Sequence, residues 1–195
     1  MLKPLIKRIL TEIFNPHELE QPGATLPLRF AQKKGKTQLW VFRTKTFKYI
    51  LEIDEYPHDI LSIAFRVKLP TDYEVKMAHL KRPVNAYTYK TNDPQRVPVL
   101  NTVMKKMMDL SKENPKLSFI FFGADDLDEF SPKVNSNNTA RYRVYKTIVA
   151  RNFSLAKYDI EVDPSKSAIA IVSKAKAQED PELETFIKKW LGVHS

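Results

Sequence analysis

Arg96 to Phe153 reads RVPVLNTVMKKMMDLSKENPKLSFIFFGADDLDEFSPKVNSNNTARYRVYKTIVARNF, and its periodicity decides the fold. Val99, Val103, Met107 and Leu110, with Leu100 and Met104, recur at three- and four-residue spacing, so they share one broad helical face. That helix is expected to begin near Pro98 and to stop at Asn114-Pro115. Leu117 to Phe122 follows, apolar but for Ser118. A run so short and apolar suits a strand covered on both faces. Asn138-Thr139 can then cap a second helix running to about Asn152, with Ala140, Val144 and Ile148 facing inward.

Outward from this unit the period drops to two. Upstream, Gln38–Arg43 and Phe47–Ile53 read as strands, the second placing Phe47, Tyr49, Leu51 and Ile53 on one face. Tyr56-Pro57-His58-Asp59 is a turn signal, and Ile63, Phe65, Val67 and Leu69 alternate in a third strand. Tyr73–Met77 and Val84–Lys90 are two shorter candidates. Downstream, Leu155–Val162 and Ser167–Ser173 flank a hairpin turn at Asp163-Pro164-Ser165-Lys166. Asp180 caps and Pro181 opens a last helix with Leu183, Phe186, Ile187, Trp190 and Leu191 as its stripe. At the other end Pro4 starts a helix whose stripe is Leu5, Ile6, Ile9, Leu10 and Ile13, ending near Asn15-Pro16. The expected fold class is α+β. Residues 23–195 form a single domain with a mostly antiparallel sheet, after an N-terminal amphipathic helix and connector over 1–22. That stripe needs a cover, either the domain itself or a further chain in an oligomer or larger assembly.

The 195 residues are 43% hydrophobic and 28% charged, the balance of a globular chain with length enough for a core. Without cysteine there is no disulfide, no thiolate zinc site and no cysteine nucleophile. No apolar run approaches the roughly 18 residues that span a bilayer, so no membrane partner is expected. Lys7 and Arg8 interrupt the only stretch near the N-terminus that resembles an export signal. The net charge is +9. Arg29 to Lys48 holds much of it, with no Asp or Glu, which points to an acidic partner: nucleic acid, or an acidic protein surface. Lys33, Lys34, Lys36, Arg43, Lys45 and Lys48 are the candidate phosphate contacts, with Trp40, Phe42 and Phe47 as rings for stacking. The plainer reading puts those rings in the core and the lysines in water.

Chemistry-bearing motifs are sparse. The chain has no Walker loop, no G-x-S-x-G elbow and no H-E-x-x-H, and its four histidines are scattered. Asp125, Asp126 and Asp128, with Glu129, are weak candidates for a hard cation, against an ordinary solvated loop. Asp59 with Glu74-Val75-Lys76 matches a nuclease-like carboxylate and lysine pattern that is common by chance. No cofactor is expected from these residues.

The order of strands, helix, buried strand, helix and closing strands resembles the GNAT acetyltransferases. Asn137, Ala140 and Tyr145 look like that family's Asn-x-x-Ala…Tyr helix. The resemblance implies acetyl-coenzyme A as cosubstrate and Tyr145 as the acid that protonates its leaving thiolate. That family's pyrophosphate loop contains glycine, whereas Gln95 to Leu100 contains none and Pro98 removes an N–H. Tyr145 also stands one residue later than the motif places it. A second resemblance is to uncharacterised small proteins of phages and bacteria. It is carried by Asn101-Thr102-Val103, by the phenylalanines of 119–122, and by Thr139-Ala140-Arg141 with Tyr145. It implies an accessory protein of a phage or mobile element, acting in the host cytoplasm or carried in the virion. The functional expectation is a non-enzymatic, nucleic-acid-binding accessory protein. The alternatives are a virion-associated or host-protein-binding role, and a GNAT-like acyltransferase.

Overall fold

The computed structural model describes residues 23–69, 93–122, 140–163 and 168–191. Among the described residues seven strands form one mixed sheet: β1 (Arg29–Lys34), β2 (Thr37–Arg43), β3 (Lys48–Tyr56), β4 (Ile60–Val67), β5 (Ser118–Phe122), β6 (Tyr158–Asp163) and β7 (Ala168–Ser173). Their spatial order is β1-β2-β3-β4-β5-β7-β6. Only β4 and β5 are parallel, and α1 (Arg96–Glu113) lies between them in the chain. The other helices are α2 (Ala140–Asn152), α3 (Lys174–Glu179) and α4 (Glu182–Leu191). The fold is therefore α+β, as expected.

The pleat sorts the sheet into two faces. Phe42, Tyr49, Leu51, Ile53, Ile63 and Phe119 line the inner face, and the buried side of α1 and Ile148 and Val149 of α2 pack on it. On the outer face Ile60, Ile120, Ala170 and Val172 are covered by Leu183, Ile187 and Leu191 of α4. Ser118, Phe119, Ile120 and Phe121 are all buried, so β5 is sandwiched as its composition predicts. Each fully covered aliphatic or aromatic side chain contributes about 1.5–3 kcal/mol.

The strand bounds shift from the expected ones. β3 runs on to Tyr56 and β4 starts at Ile60, because the hairpin pairs Tyr56 with Ile60 across a three-residue loop. α1 starts at Arg96, two residues before Pro98. Pro98 is tolerated there because N–H groups of the first turn have no acceptor within the helix. Two elements were not expected, β1 and α3. The N-terminal helix, the candidate strands Tyr73–Met77 and Val84–Lys90, and the acidic loop with Asp125, Asp126 and Asp128 lie outside the described residues.

The β1–β2 hairpin closes on Gly35-Lys36, with φ +59° at Gly35, as a two-residue loop with glycine first requires. The β3–β4 loop instead places His58 (φ 64°) and Asp59 (φ 57°) in the left-handed region. Three contacts hold it there. His58 Nδ1 lies 2.9 Å from Asp180 Oδ2, Lys176 Nζ lies 2.8 Å from Asp59 Oδ2, and Ser118 N–H donates to the Asp59 carbonyl. The His58 hydrogen bond, followed by that of Lys176, holds the Asp180 carboxyl below the ordinary aspartate range. A carboxyl depressed in the folded state adds stability above its unfolded value, and that stability is lost as pH falls through the folded value. Asp180→Asn should therefore melt below wild type at neutral pH, with the gap closing below about pH 4. Thermal melts at pH 7, 5 and 3 check this, and a gap independent of pH contradicts it.

Candidate nucleic-acid interface

The basic stretch folds as one hairpin and the strand beside it, which separates its cations into two groups. Lys33, Lys34 and Lys36 gather at the Gly35 turn. Arg43, Lys45 and Lys48 gather at the opposite end of β2, around the turn from Thr44 to Phe47. The length of β2, at about 3.3 Å per residue, puts roughly 20 Å between the groups. They do not form a single cluster beside the Gly35 turn.

Register then decides which cations share a surface. Lys34 pairs with Thr37, Arg29 with Val41 and Arg43 with Lys48, so all of these belong to the outer face. Among the described residues no helix covers that face over β1–β3. Its middle is aliphatic and half-buried, with Leu39, Val41 and Ile50. Its acids are engaged at home: Glu52 accepts from Arg66 at 2.9 Å, and Asp54 accepts from Thr37 Oγ1. Arg29, Lys34, Arg43 and Lys45 are exposed and form no ion pair with a described residue. Lys33 differs, because it lies on the inner face and donates to Glu55 at 2.7 Å. That bond, then the one from Gln38, holds the Glu55 carboxyl below its ordinary range, and the charge of Lys36 adds to the effect. Lys48 is half-buried.

The aromatic part of the expectation needs correction. Phe42 is 2% exposed and stacks on Tyr49, with ring centroids 5.2 Å apart. Phe47 and Trp40 pack against the same core, and Lys106 of α1 sits 3.9 Å over the Trp40 ring. Alternation puts Trp40 and Phe42 on the inner face while Arg43 points outward, so these rings make no stacking platform beside the outer cations. The physical reason is that α1 needs an apolar bed, and the rings supply it.

A residue the sequence reading passed over organises the far group. Asp93 is 1% exposed. Its Oδ1 accepts from Gln95 N–H at 2.8 Å, an Asx turn, and its Oδ2 accepts from Thr44 Oγ1 at 2.7 Å and Tyr49 OH at 3.0 Å. Gln95 Oε1 in turn accepts from Lys45 N–H at 2.7 Å. The turn bearing Lys45 is thereby fastened to the start of α1. An Asp-Pro-Gln sequence ahead of a helix was the available signal, since aspartate bonds its backbone two residues on.

The remaining candidates are dispersed. Asp59 is tied to Lys176, and Glu74 and Lys76 lie outside the described residues. Tyr145 packs edge-on against Phe65 and Phe121, with centroids 6.0 and 5.5 Å away. Among the described residues no group of three or more His, Asp or Glu side chains is placed to hold a metal. No described helix is long and apolar enough to cross a membrane. No protein-family model matches the chain, and no curated protein or solved structure matches it.

Proposed function

We propose that this protein binds the phosphate backbone of nucleic acid, without reading sequence, through the outer face of the β1–β3 hairpins. The carrying observation is that Arg29, Lys34, Arg43 and Lys45 are exposed and unneutralised by described residues, while the acids nearest them are paired internally. Cations spread over about 20 Å can contact several successive phosphates, and each contact releases condensed counterions. Trp40, Phe42 and Phe47 pack in or against the core, so those rings are not offered to unpaired bases, and the exposed cations favour contact with the backbone. Such binding suits an accessory protein of a phage or mobile element, which is the role the sequence resemblance implies.

The test is fluorescence anisotropy with duplexes of unrelated sequence across a salt series. Lys34→Glu with Lys36→Glu, and separately Arg43→Glu with Lys45→Glu, should each weaken binding at least about tenfold at ~50 mM salt. The slope of log K against log salt should become shallower by about 2, since each lost phosphate contact removes about 0.9. If wild type binds no duplex at ~50 mM salt, where counterion release is strongest, the reading fails.

A second reading rests on one feature. β4 and β5 pair only over Ile60–Ser62 and Ser118–Ile120, then part, and Tyr145 lies between Phe65 and Phe121 of these strands. Parting parallel strands, with a helix before and after the second, support the GNAT-like element order and an acyltransferase reading. Opposed to it is the start of α1. There Pro98 replaces an N–H, and the buried Asp93 carboxylate already accepts from Gln95 N–H. That N–H is thus already engaged and not open to a pyrophosphate. Micromolar binding of acetyl-coenzyme A in the same assays would replace the first reading with this one.

A further inference from the structure

The two edge strands of the sheet carry opposite charge. β1, RFAQKK, has Arg29, Lys33 and Lys34 and no acid, and all six of its residues are exposed. β6, YDIEVD, has Asp159, Glu161 and Asp163 and no base. An edge strand offers a row of backbone donors and acceptors to any strand that fits it. We propose that this protein associates with copies of itself edge to edge, the basic β1 of one copy pairing with the acidic β6 of the next. This goes beyond phosphate binding and does not depend on it.

Direction, face and register agree. Following the pairings across the sheet, β1 and β6 run in opposite directions. Setting copies side by side with their helices on the same side therefore makes the junction antiparallel. The pleat puts Arg29, Gln32 and Lys34 on the outer face of β1, and Asp159, Glu161 and Asp163 on the outer face of β6. The inner face has Phe30 on β1 and Val162 on β6. These are 54% and 36% exposed, two of the four large hydrophobic residues exposed among those described.

Both strands are six residues long, and one register sets two bases opposite two acids and one apolar residue opposite another, with Lys33 opposite Ile160. Lys34 stands opposite Asp159, Gln32 opposite Glu161, Phe30 opposite Val162 and Arg29 opposite Asp163. Ala31, where β1 already bulges against β2, takes up the odd residue. Asp159 meets Lys174 at 3.2 Å within its own chain and its side chain remains 64% exposed. Burial, then the charge of Glu184, pushes the Glu161 carboxyl up despite Lys188. Opposite charges facing across strands stabilise a pair, and like charges oppose it. The pattern thus disfavours β1 on β1 and β6 on β6. It selects a head-to-tail contact, which closes into a ring or continues as a filament.

Sedimentation velocity on the full chain, free of nucleic acid, tests this. At ~50 mM salt the mass should rise with concentration to at least twice that of the 22.7 kDa chain, and it should return to one chain at ~0.5 M as screening removes the attraction. Arg29→Glu with Lys34→Glu leaves two acidic edges, and Asp159→Lys with Glu161→Lys leaves two basic edges. Each variant alone should stay at one chain. An equimolar mixture should recover at least half of the wild-type mass increase, because each variant then meets its complement. That recovery also shows that both variants are folded. Wild type remaining at one chain throughout, association that persists unchanged in both variants or at high salt, or a mixture that fails to recover would each overturn the proposal.

Discussion

Phe119→Ala should lower the unfolding free energy by about 3–5 kcal/mol, the largest effect of a single truncation expected here. Phe119 is 0% exposed, in the middle of a strand that is covered on both faces. It stands beside Leu61 of β4 and Ile171 of β7, and its ring lies 5.7 Å from that of Phe153 just past α2. Truncation removes the transfer free energy of the ring and leaves a cavity. The backbone on either side is hydrogen-bonded into two ladders and cannot collapse to fill it. Urea denaturation followed by circular dichroism checks this, with the midpoint moving and the slope unchanged. A loss under about 1 kcal/mol would mean that β5 does not hold the two layers together.

Asp93→Ala should cost about 3 kcal/mol, more than an average substitution, although it removes only a small side chain. The carboxylate accepts from Gln95 N–H, Thr44 Oγ1 and Tyr49 OH at a site closed to solvent. Its removal deprives buried donors of their acceptor, and desolvated donors without acceptors are expensive. Asp93→Asn should cost about half as much, since its oxygen still accepts and the two hydroxyls can rotate to accept from its amide. The same variants should loosen the turn bearing Lys45. If Asp93→Ala melts like wild type, the network is not what joins the β2–β3 turn to α1.

Legibility in the sequence followed the strength of the local pattern. The period-two runs of β3 and β4 and the capped stripe of α4 were readable because burial on one side forces alternation or a helical stripe. β1 was not readable for the same reason. RFAQKK is exposed at every position and bulged at Ala31, so no burial constraint patterned it. α3 is six residues with none buried, and it left no stripe either. The candidate cations could be counted in the sequence, but their division between the two ends of β2 could not be read there. Composition records how many lysines a segment has, whereas the hairpin decides that Lys33 turns to Glu55 and that Arg43 sits a strand's length from Lys34.

By itself the sequence determined the α+β class, an apolar strand within Leu117–Phe122 with its flanking helices, and the basic balance of the first strands, because apolar periodicity and charge are properties of the local chain. Only the tertiary structure decided that β4 and β5 are parallel, that Trp40 and Phe42 face α1 rather than a ligand, and that Asp93 meets Thr44 and Tyr49. It also decided that a basic strand and an acidic strand more than 120 residues apart are the two edges of one sheet. Those facts depend on which distant segments pair. Pairing is chosen by the burial of whole faces, a free energy that no short stretch of the chain contains.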